Sequence, residues 1–402
     1  MGQPHAEPQG RPGFSTRAIH DADLPLGIAE QPVSPPIWLT SDYLYESLEH
    51  YGDVINERRP GYVYGRYGNP THVALNHVLA SLEGAESAWS FASGMAALHT
   101  ALTSLAHEGG HIVAQRTLYG GTYALLSHVF PAYGIRTTFV EPEVDQIGGA
   151  LQPNTAAVVV ETLANPTFRV SDVRGIAALC ADRGAPLVVD NTVPSPYLLR
   201  PLEIDGVALV VHATSKYIGG HSDLIGGSVA GASELIDPIR HFAMNQGTTA
   251  GAFEAWLALR GVQTLALRMA HQSATALALA RALAGHPKVA EVGYSGLDTH
   301  EGHDRASDLF AGAGFAAMLS FDLAGGYEAA SRFAQSLLVA RVGSSFGGLR
   351  TEVCHPATTS HRQLSPEDRA AAGIGDGLLR VAVGGEDAED LVDDFLRALE
   401  KA

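Results

Sequence analysis

Lys216 closes an apolar run, Val207-Ala208-Leu209-Val210-Val211-His212, and precedes the glycine-rich stretch Tyr217-Ile218-Gly219-Gly220-His221-Ser222-Asp223. A short apolar run bounded by turn signals reads as a buried strand of a parallel sheet. Ligands of such sheets bind beyond the carboxyl ends of the strands, which is where Lys216 falls. A lysine amine drawn partly out of water loses basicity and can form a Schiff base with a carbonyl compound. Taken by itself, a lysine at a strand end is more often a solvated surface residue. Its companions shift the balance.

The first companion is Asp190, which ends another apolar run, Leu187-Val188-Val189. A carboxylate there is costly unless a cation or hydrogen-bond donors meet it. It either caps a loop or acts as counter-ion to a protonated pyridine nitrogen. One crossover separates Asp190 from Lys216, so their strands can be parallel neighbours. Ala92-Ser93-Gly94-Met95 reads as a strand-to-helix turn, whose backbone N–H groups suit an anion. Tyr119, in Leu118-Tyr119-Gly120-Gly121-Thr122, is set on a loop before a helix, to stack on a flat ring or to pack at the turn. Arg66, among the tyrosines of Tyr62-Val63-Tyr64-Gly65-Arg66-Tyr67, suits a phosphate or stacks on its neighbours.

Positioning these residues takes a layered scaffold. Apolar runs at 88–91, 112–114, 157–160, 187–189 and 207–211 alternate with helical periods at 94–106, 122–133 and 171–183. That alternation predicts an α/β fold with a mostly parallel central sheet. Asn69 and Pro70 suit the cap and first turn of a helix running to Gly84. A proline-rich arm over 14–61 is predicted to hold one short helix at 41–51. After Gly261 come a long helix over 262–284, strands at 289–292 and 315–323, and helices at 327–338 and 387–399. These predict a smaller α+β domain. The divisions are an N-terminal tail and arm (1–61), a large domain (62–261) and a C-terminal domain (262–402).

The 402 residues suffice for two or three domains with a large core. A hydrophobic content of 46% with 17% charged residues is that of an ordinary globular chain. The net charge of −17 argues against nucleic acid or an anionic membrane as the main partner. Cys180 and Cys354 are the two cysteines; they give no disulfide framework and no metal cluster, and they suit the reducing cytoplasm. No apolar stretch is long enough to span a bilayer, and residues 1–13 read as a loose polar tail without a signal core.

Together these motifs resemble the Cys/Met-metabolism family of pyridoxal phosphate enzymes. That family includes cystathionine γ-synthase, cystathionine γ-lyase, methionine γ-lyase and O-acylhomoserine sulfhydrylase. The likeness begins at Phe14-Ser15-Thr16-Arg17-Ala18-Ile19-His20 and takes in Tyr64-Gly65-Arg66-Tyr67-Gly68-Asn69-Pro70-Thr71. It reaches the tail Leu378-Leu379-Arg380-Val381-Ala382-Val383-Gly384-Gly385-Glu386-Asp387. The resemblance implies the aspartate-aminotransferase-like fold (fold type I), pyridoxal 5′-phosphate as cofactor, and a homotetramer of two tight dimers. It makes Lys216 the Schiff-base lysine, Asp190 the partner of the pyridinium nitrogen, and Tyr119 the stacking ring and acid/base at the leaving group. Gly94, Met95 and Ser215 would hold the phosphate, joined by Tyr64 and Arg66 from a neighbouring subunit. Arg380, Ser345 and Asn165 would receive the α-carboxylate of an amino acid substrate, with Glu161 in support.

Two positions depart from the family pattern: Ala213 replaces a serine, and Ser215 a threonine. The lost hydroxyl is worth about 0.5–1.5 kcal/mol. Where cystathionine-handling members tend to place charged side chains, this chain has Val63, Ala124 and Ser344. An uncharged thioether such as methionine suits that set better than cystathionine. Against this, methionine γ-lyases carry a cysteine where Gly121 stands and a Lys-Asp pair near Ala243 and Met244. Arg58, Arg59 or Arg350 could still supply a charge. The resemblance therefore implies γ-elimination by a carbon–sulfur lyase, with γ-replacement as the alternative. A binding protein built on an inactive form of the fold fits poorly with Lys216, Asp190, Tyr119 and Arg380 all present.

Overall fold

A computed structural model describes residues 11–23, 30–362 and 365–402. Most of the tail expected over 1–13 lies outside the described residues. Asn69 accepts a hydrogen bond from His72 N at 3.1 Å, Pro70 takes the first helical position, and Gly84 ends the helix at φ +73°. The helix Pro70–Glu83 therefore begins and stops where the sequence says.

The large sheet is built from β1 (Ser87–Phe91), β2 (His111–Gln115), β3 (Arg136–Val140), β4 (Thr155–Glu161), β5 (Leu187–Asp190), β6 (Val207–His212) and β7 (Gly227–Gly231). Its order is β1-β7-β6-β5-β4-β2-β3. The pairs from β3 through β6 are parallel, and β7 runs antiparallel to both β6 and β1. The expected mostly parallel sheet is thus found, with two further strands. β3 and β7 complete its edge and its join to β1. β7, Gly-Ser-Val-Ala-Gly, has little strand propensity of its own; all five residues are buried between neighbours.

Parallel register does the positioning. Glu161 pairs with Asp190, and Asp190 with Val211, so the carboxyl ends of β4, β5 and β6 finish level. Crossover helices such as Val173–Arg183 pack their apolar stripe against the sheet.

The second sheet follows in β8 (Val289–Gly293), β9 (Met318–Leu323), β10 (Arg341–Val342), β11 (Glu352–Cys354) and β12 (Leu378–Ala382). Its order is β10-β11-β12-β9-β8, antiparallel except for β10 against β11. Leu279, Leu283, Phe321, Phe333, Val381 and Phe395 fill the space between this sheet and the helices covering it. β12 carries Arg380.

Several helices differ from expectation. Phe14–His20 in the arm, Ser233–Gln246 and His303–Phe310 are additional. The helix expected at 41–51 is Leu48–Ile55, because Ser47 supplies the cap by accepting from His50 N. The stretch over 122–133 is Gly120–Ala124, then a π-helical turn and a 3-10 turn in which Pro131 has no N–H to give. The long helix expected over 262–284 is Leu265–Ala284; a separate helix, Ala252–Val262, stops just before it.

A buried pair ties the first long helix to the strand leading to Lys216. His212 Nε2 lies 2.5 Å from Glu83 Oε1, and both side chains are at most 2% exposed. Removing one member of such a pair leaves the other without compensation, at a cost of about 3–5 kcal/mol. Glu83→Ala is expected to lose that much in urea unfolding. A loss below about 1 kcal/mol, the range of exposed pairs, would show that the contact contributes little.

Candidate active site

The level strand ends open into a cavity of about 450 Å³. It is lined by residues from the turns after β1 and β6, from the ends of β4 and β5, and from a loop of the second sheet. Lys216 occupies a tight turn after β6, closed by Lys216 N donating to Ala213 O and Gly220 N donating to Lys216 O at 2.7 Å. Its Nζ donates to Ser345 Oγ at 3.0 Å and lies 4.7 Å from the centre of the Phe346 ring. Burial lowers the Lys216 pKa, and the Arg380 guanidinium lowers it further, against a smaller pull from Glu352. Gly347 makes the approach of the 345–348 loop possible. Its φ is +81°, and a Cβ there would lie 2.5 Å from Tyr217 N.

Asp190 stands at the end of β5, where Thr192 N and Thr192 Oγ1 donate to its Oδ1 at 3.0 and 2.5 Å. Glu161, level with it on β4, accepts from Tyr119 N at 2.6 Å and Asn165 N at 3.3 Å. Burial raises the pKa of both acids; Glu161 is raised further by Asp190, while these hydrogen bonds oppose the shift. A proton or cation presented to Asp190 from the cavity would restore the missing counter-charge.

The anion end lies at the helix Gly94–Leu105. Ser93 caps it by accepting from Ala96 N at 3.0 Å, leaving the first-turn N–H groups of Gly94 and Met95 at the cavity wall. A Cβ on Gly94 would lie 2.7 Å from that of Ala213, so both positions are held small by contact. Ser215 also lines the cavity, with its hydroxyl donating to Gly226 O and accepting from Gly226 N.

Arg380 reaches in from β12. Its Nη2 donates to Ser344 O at 2.8 Å and Ser345 O at 3.1 Å, and its Nη1 to Asn165 Oδ1 at 3.4 Å. The side chain is 3% exposed, and its Nε–H has no acceptor among the described residues. A buried donor without a partner calls for an oxygen from a ligand. Tyr119 stands at the cavity with its ring half exposed, as a stacking role requires.

The structure thus gathers Lys216, Asp190, Tyr119, Gly94, Met95, Ser215, Ser345 and Asn165 around one cavity, with Arg380 bonded to its edge. Tyr64 and Arg66 are not among the lining residues. Arg66 donates to Met244 O and lies 4.8 Å from the Tyr67 ring centre. Val63, Ala124 and Ser344 do not line it either. Sequence reasoning missed Thr192, Phe346 and Glu352. The Asp-Asn-Thr order was a usable signal for the first, because a hydroxyl two residues after an acid can fold back on it. Phe346 and Glu352 act through long-range contacts that leave no local trace.

These groups match pyridoxal phosphate in kind: N–H groups for a phosphate, a buried acid for a ring nitrogen, an amine of lowered basicity and an unfilled guanidinium. Thr192→Val would remove one hydrogen bond to a charged group, worth about 1.5–3 kcal/mol. The Asp190 pKa should then rise further and the cofactor bind about tenfold or more weakly in an absorbance titration of the apoprotein. Unchanged affinity would detach Thr192 from the site.

Residues 15–400 match the family described as Cys/Met metabolism PLP-dependent enzyme. The chain is 37% identical over 393 residues to an L-methionine gamma-lyase of Fusobacterium nucleatum subsp. polymorphum, covering 97% of this chain and 98% of that protein. It is 39% identical over 366 residues to an O-succinylhomoserine sulfhydrylase of Pseudomonas aeruginosa, covering 90% of each. The crystal structure of metB from Corynebacterium glutamicum superposes with a TM-score of 0.89 at 37% identity, over 97% of this chain and 98% of that one. A cavity that fits pyridoxal phosphate and a likeness spanning nearly the whole chain agree: this protein belongs to the Cys/Met-metabolism family of PLP-dependent enzymes.

Proposed function

We propose that the protein is a carbon–sulfur lyase that takes a methionine-like amino acid and releases a thiol, a 2-oxo acid and ammonia. The observation that carries this reading is the cavity lining. Among the described residues its charged side chains are Lys216, Asp190 and Glu161. The apolar part of the wall includes Met95, Leu98, Leu163, Leu224, Ile225 and Phe346. A second amino acid head group would lose its partners against such walls, whereas an uncharged thioether would not.

Bound pyridoxal phosphate supplies an electron-withdrawing ring that acidifies the hydrogens of an attached amino acid. Gly94, Met95 and Ser215 would hold its phosphate, Asp190 its ring nitrogen, Tyr119 its face and Lys216 its aldehyde carbon. Arg380, with Asn165 and Ser345 beside it, would orient the substrate α-carboxylate. Lys216, when free, has lowered basicity, so more of it is neutral at pH 7 and ready to take a proton from Cα. Ser345 Oγ fixes the direction of its Nζ. The Tyr119 phenol would deliver a proton to the departing sulfur.

Tyr64 and Arg66 would complete the phosphate site of a neighbouring subunit in a homotetramer of two dimers. Their position off the protomer's own cavity supports this, as do the exposed apolar side chains Val33, Leu39, Leu44 and Leu48 on the arm. The units would be the arm (1–61), the cofactor domain (62–261) and the C-terminal domain (262–402). Two buried free thiols, Cys180 and Cys354, fit a cytoplasmic protein.

The second reading is γ-replacement, favoured by the 39% identity to a sulfhydrylase. Elimination and replacement would use the same residues, so the test is chemical. The protein is offered methionine, cystathionine, cysteine and O-acylhomoserine, each with and without an added thiol, and both 2-oxo acid and newly formed thioether amino acid are followed. Oxo acid from methionine alone is expected. Product only when a second nucleophile is present would replace the lyase with the transferase.

A further inference from the structure

Beneath the turn that carries Lys216 lies a charge that the chemistry above does not use. Arg268, on the helix Leu265–Ala284, is 8% exposed, and each guanidinium nitrogen donates to a neutral oxygen. Nε donates to Thr264 Oγ1 at 3.0 Å and Nη1 to Tyr217 O at 2.7 Å. Nη2 donates to Gly261 O at 2.8 Å and to Ile218 O at 3.4 Å. None of these acceptors is a carboxylate. Burial without a counter-charge is unfavourable and lowers the Arg268 pKa to about 10. The compensation must come from the carbonyls it meets.

Those carbonyls belong to one short turn. Gly219 N donates to Thr214 O at 2.8 Å and Gly220 N to Lys216 O at 2.7 Å, which leaves Tyr217 O and Ile218 O at the turn's carboxyl end without partners inside it. Backbone oxygens at such an end carry partial negative charge and are met well by a cation. The guanidinium fork takes one with each terminal nitrogen and spans the gap to Gly261 at the end of the helix Ala252–Val262. Two glycines make room for the cluster. Gly220 has φ +74°, and a Cβ there would lie 2.2 Å from the guanidinium carbon. A Cβ on Gly261 would lie 2.1 Å from Gly219 O.

We infer that Arg268 is a positioning residue for Lys216. It pins the two carbonyls that follow the lysine to the junction of two helices, and so holds the turn that aims Nζ at Ser345 and the cavity. Lysine at 268 would lack the planar fork whose separate nitrogens meet Tyr217 O, Ile218 O and Gly261 O in fixed directions. This inference rests on the reading of Lys216 as the cofactor-holding residue, and Lys216→Ala tests that reading separately, through loss of borohydride-stable cofactor.

The test compares Arg268→Met, Arg268→Lys and the milder Thr264→Val, each reconstituted with pyridoxal phosphate. Four quantities are read: cofactor affinity of the apoprotein, kcat and KM per bound cofactor, hydrogen exchange at the Gly219 and Gly220 amides, and the thermal midpoint. In Arg268→Met we expect about tenfold weaker cofactor binding. We also expect kcat to fall on the order of a hundredfold, with KM little changed, as for a misplaced reacting group. Exchange at the two amides should quicken. Arg268→Lys should fall between this variant and the parent, and Thr264→Val should move the same quantities by less. A lowered thermal midpoint with affinity, kcat and exchange all at the parent's values would make Arg268 a structural brace only and overturn the proposal. If Arg268→Met does not fold, Arg268→Lys and Thr264→Val decide by the same criteria.

Discussion

Taking the amine of Lys216 out of water is the constraint around which the rest of the structure is arranged. An ammonium in such a place is held only if other groups compensate, or if it gives up its proton. Here burial and Arg380 push Lys216 toward the neutral amine, and burial likewise pushes Asp190 and Glu161 on the adjoining strands toward their protonated forms, so that a positive partner is needed to hold their charge. The cavity therefore holds acids that favour a positive partner and an amine inclined to lose its charge. A cofactor with a protonated ring nitrogen, a phosphate and a carbonyl answers each of these demands at once. Parallel register is what brings the groups level, since Glu161 pairs with Asp190 and Asp190 with the strand that leads to Lys216.

Closure of the site depends on places where side chains are missing. The loop bearing Ser345 and Phe346 reaches Lys216 because Gly347 lies against the backbone of Lys216 and Tyr217. Gly94 and Ala213 meet across the anion end, which gives the alanine at 213 a packing context. The cost of its lost hydroxyl is small beside the first-turn N–H groups that remain.

Much of this was legible in the sequence because it is local. Apolar runs that stop at Asp190 and Lys216, and the cap signals at Asn69 and Pro70, need no knowledge of distant contacts. β7 was not legible: its glycines, alanine and serine become a strand only between two formed neighbours. The division between Ala252–Val262 and Leu265–Ala284 was hidden by unbroken helical composition. At that break Gly261 O accepts from Thr264 N, Thr264 Oγ1 and Arg268 Nη2, contacts that composition does not reveal. The carbonyl cage of Arg268 and the ring of Phe346 over Lys216 are likewise long-range. Val63, Ala124 and Ser344, where the resemblance directs attention for charge toward the substrate, do not line the cavity, whose apolar lining includes Leu98, Leu163, Leu224 and Ile225.

The sequence contains three lysines: Lys216, Lys288 and Lys401. Lys288 is spent on the carbonyls of Leu399, Glu400 and Ala402, and Lys401 lies in the final helix. The most direct measurement is therefore borohydride reduction of the pyridoxal phosphate-loaded protein, followed by mass mapping of its peptides. The account predicts one pyridoxyl group, on Lys216, and none in Lys216→Ala. A label on Lys288 or Lys401, or one that survives in Lys216→Ala, would contradict it.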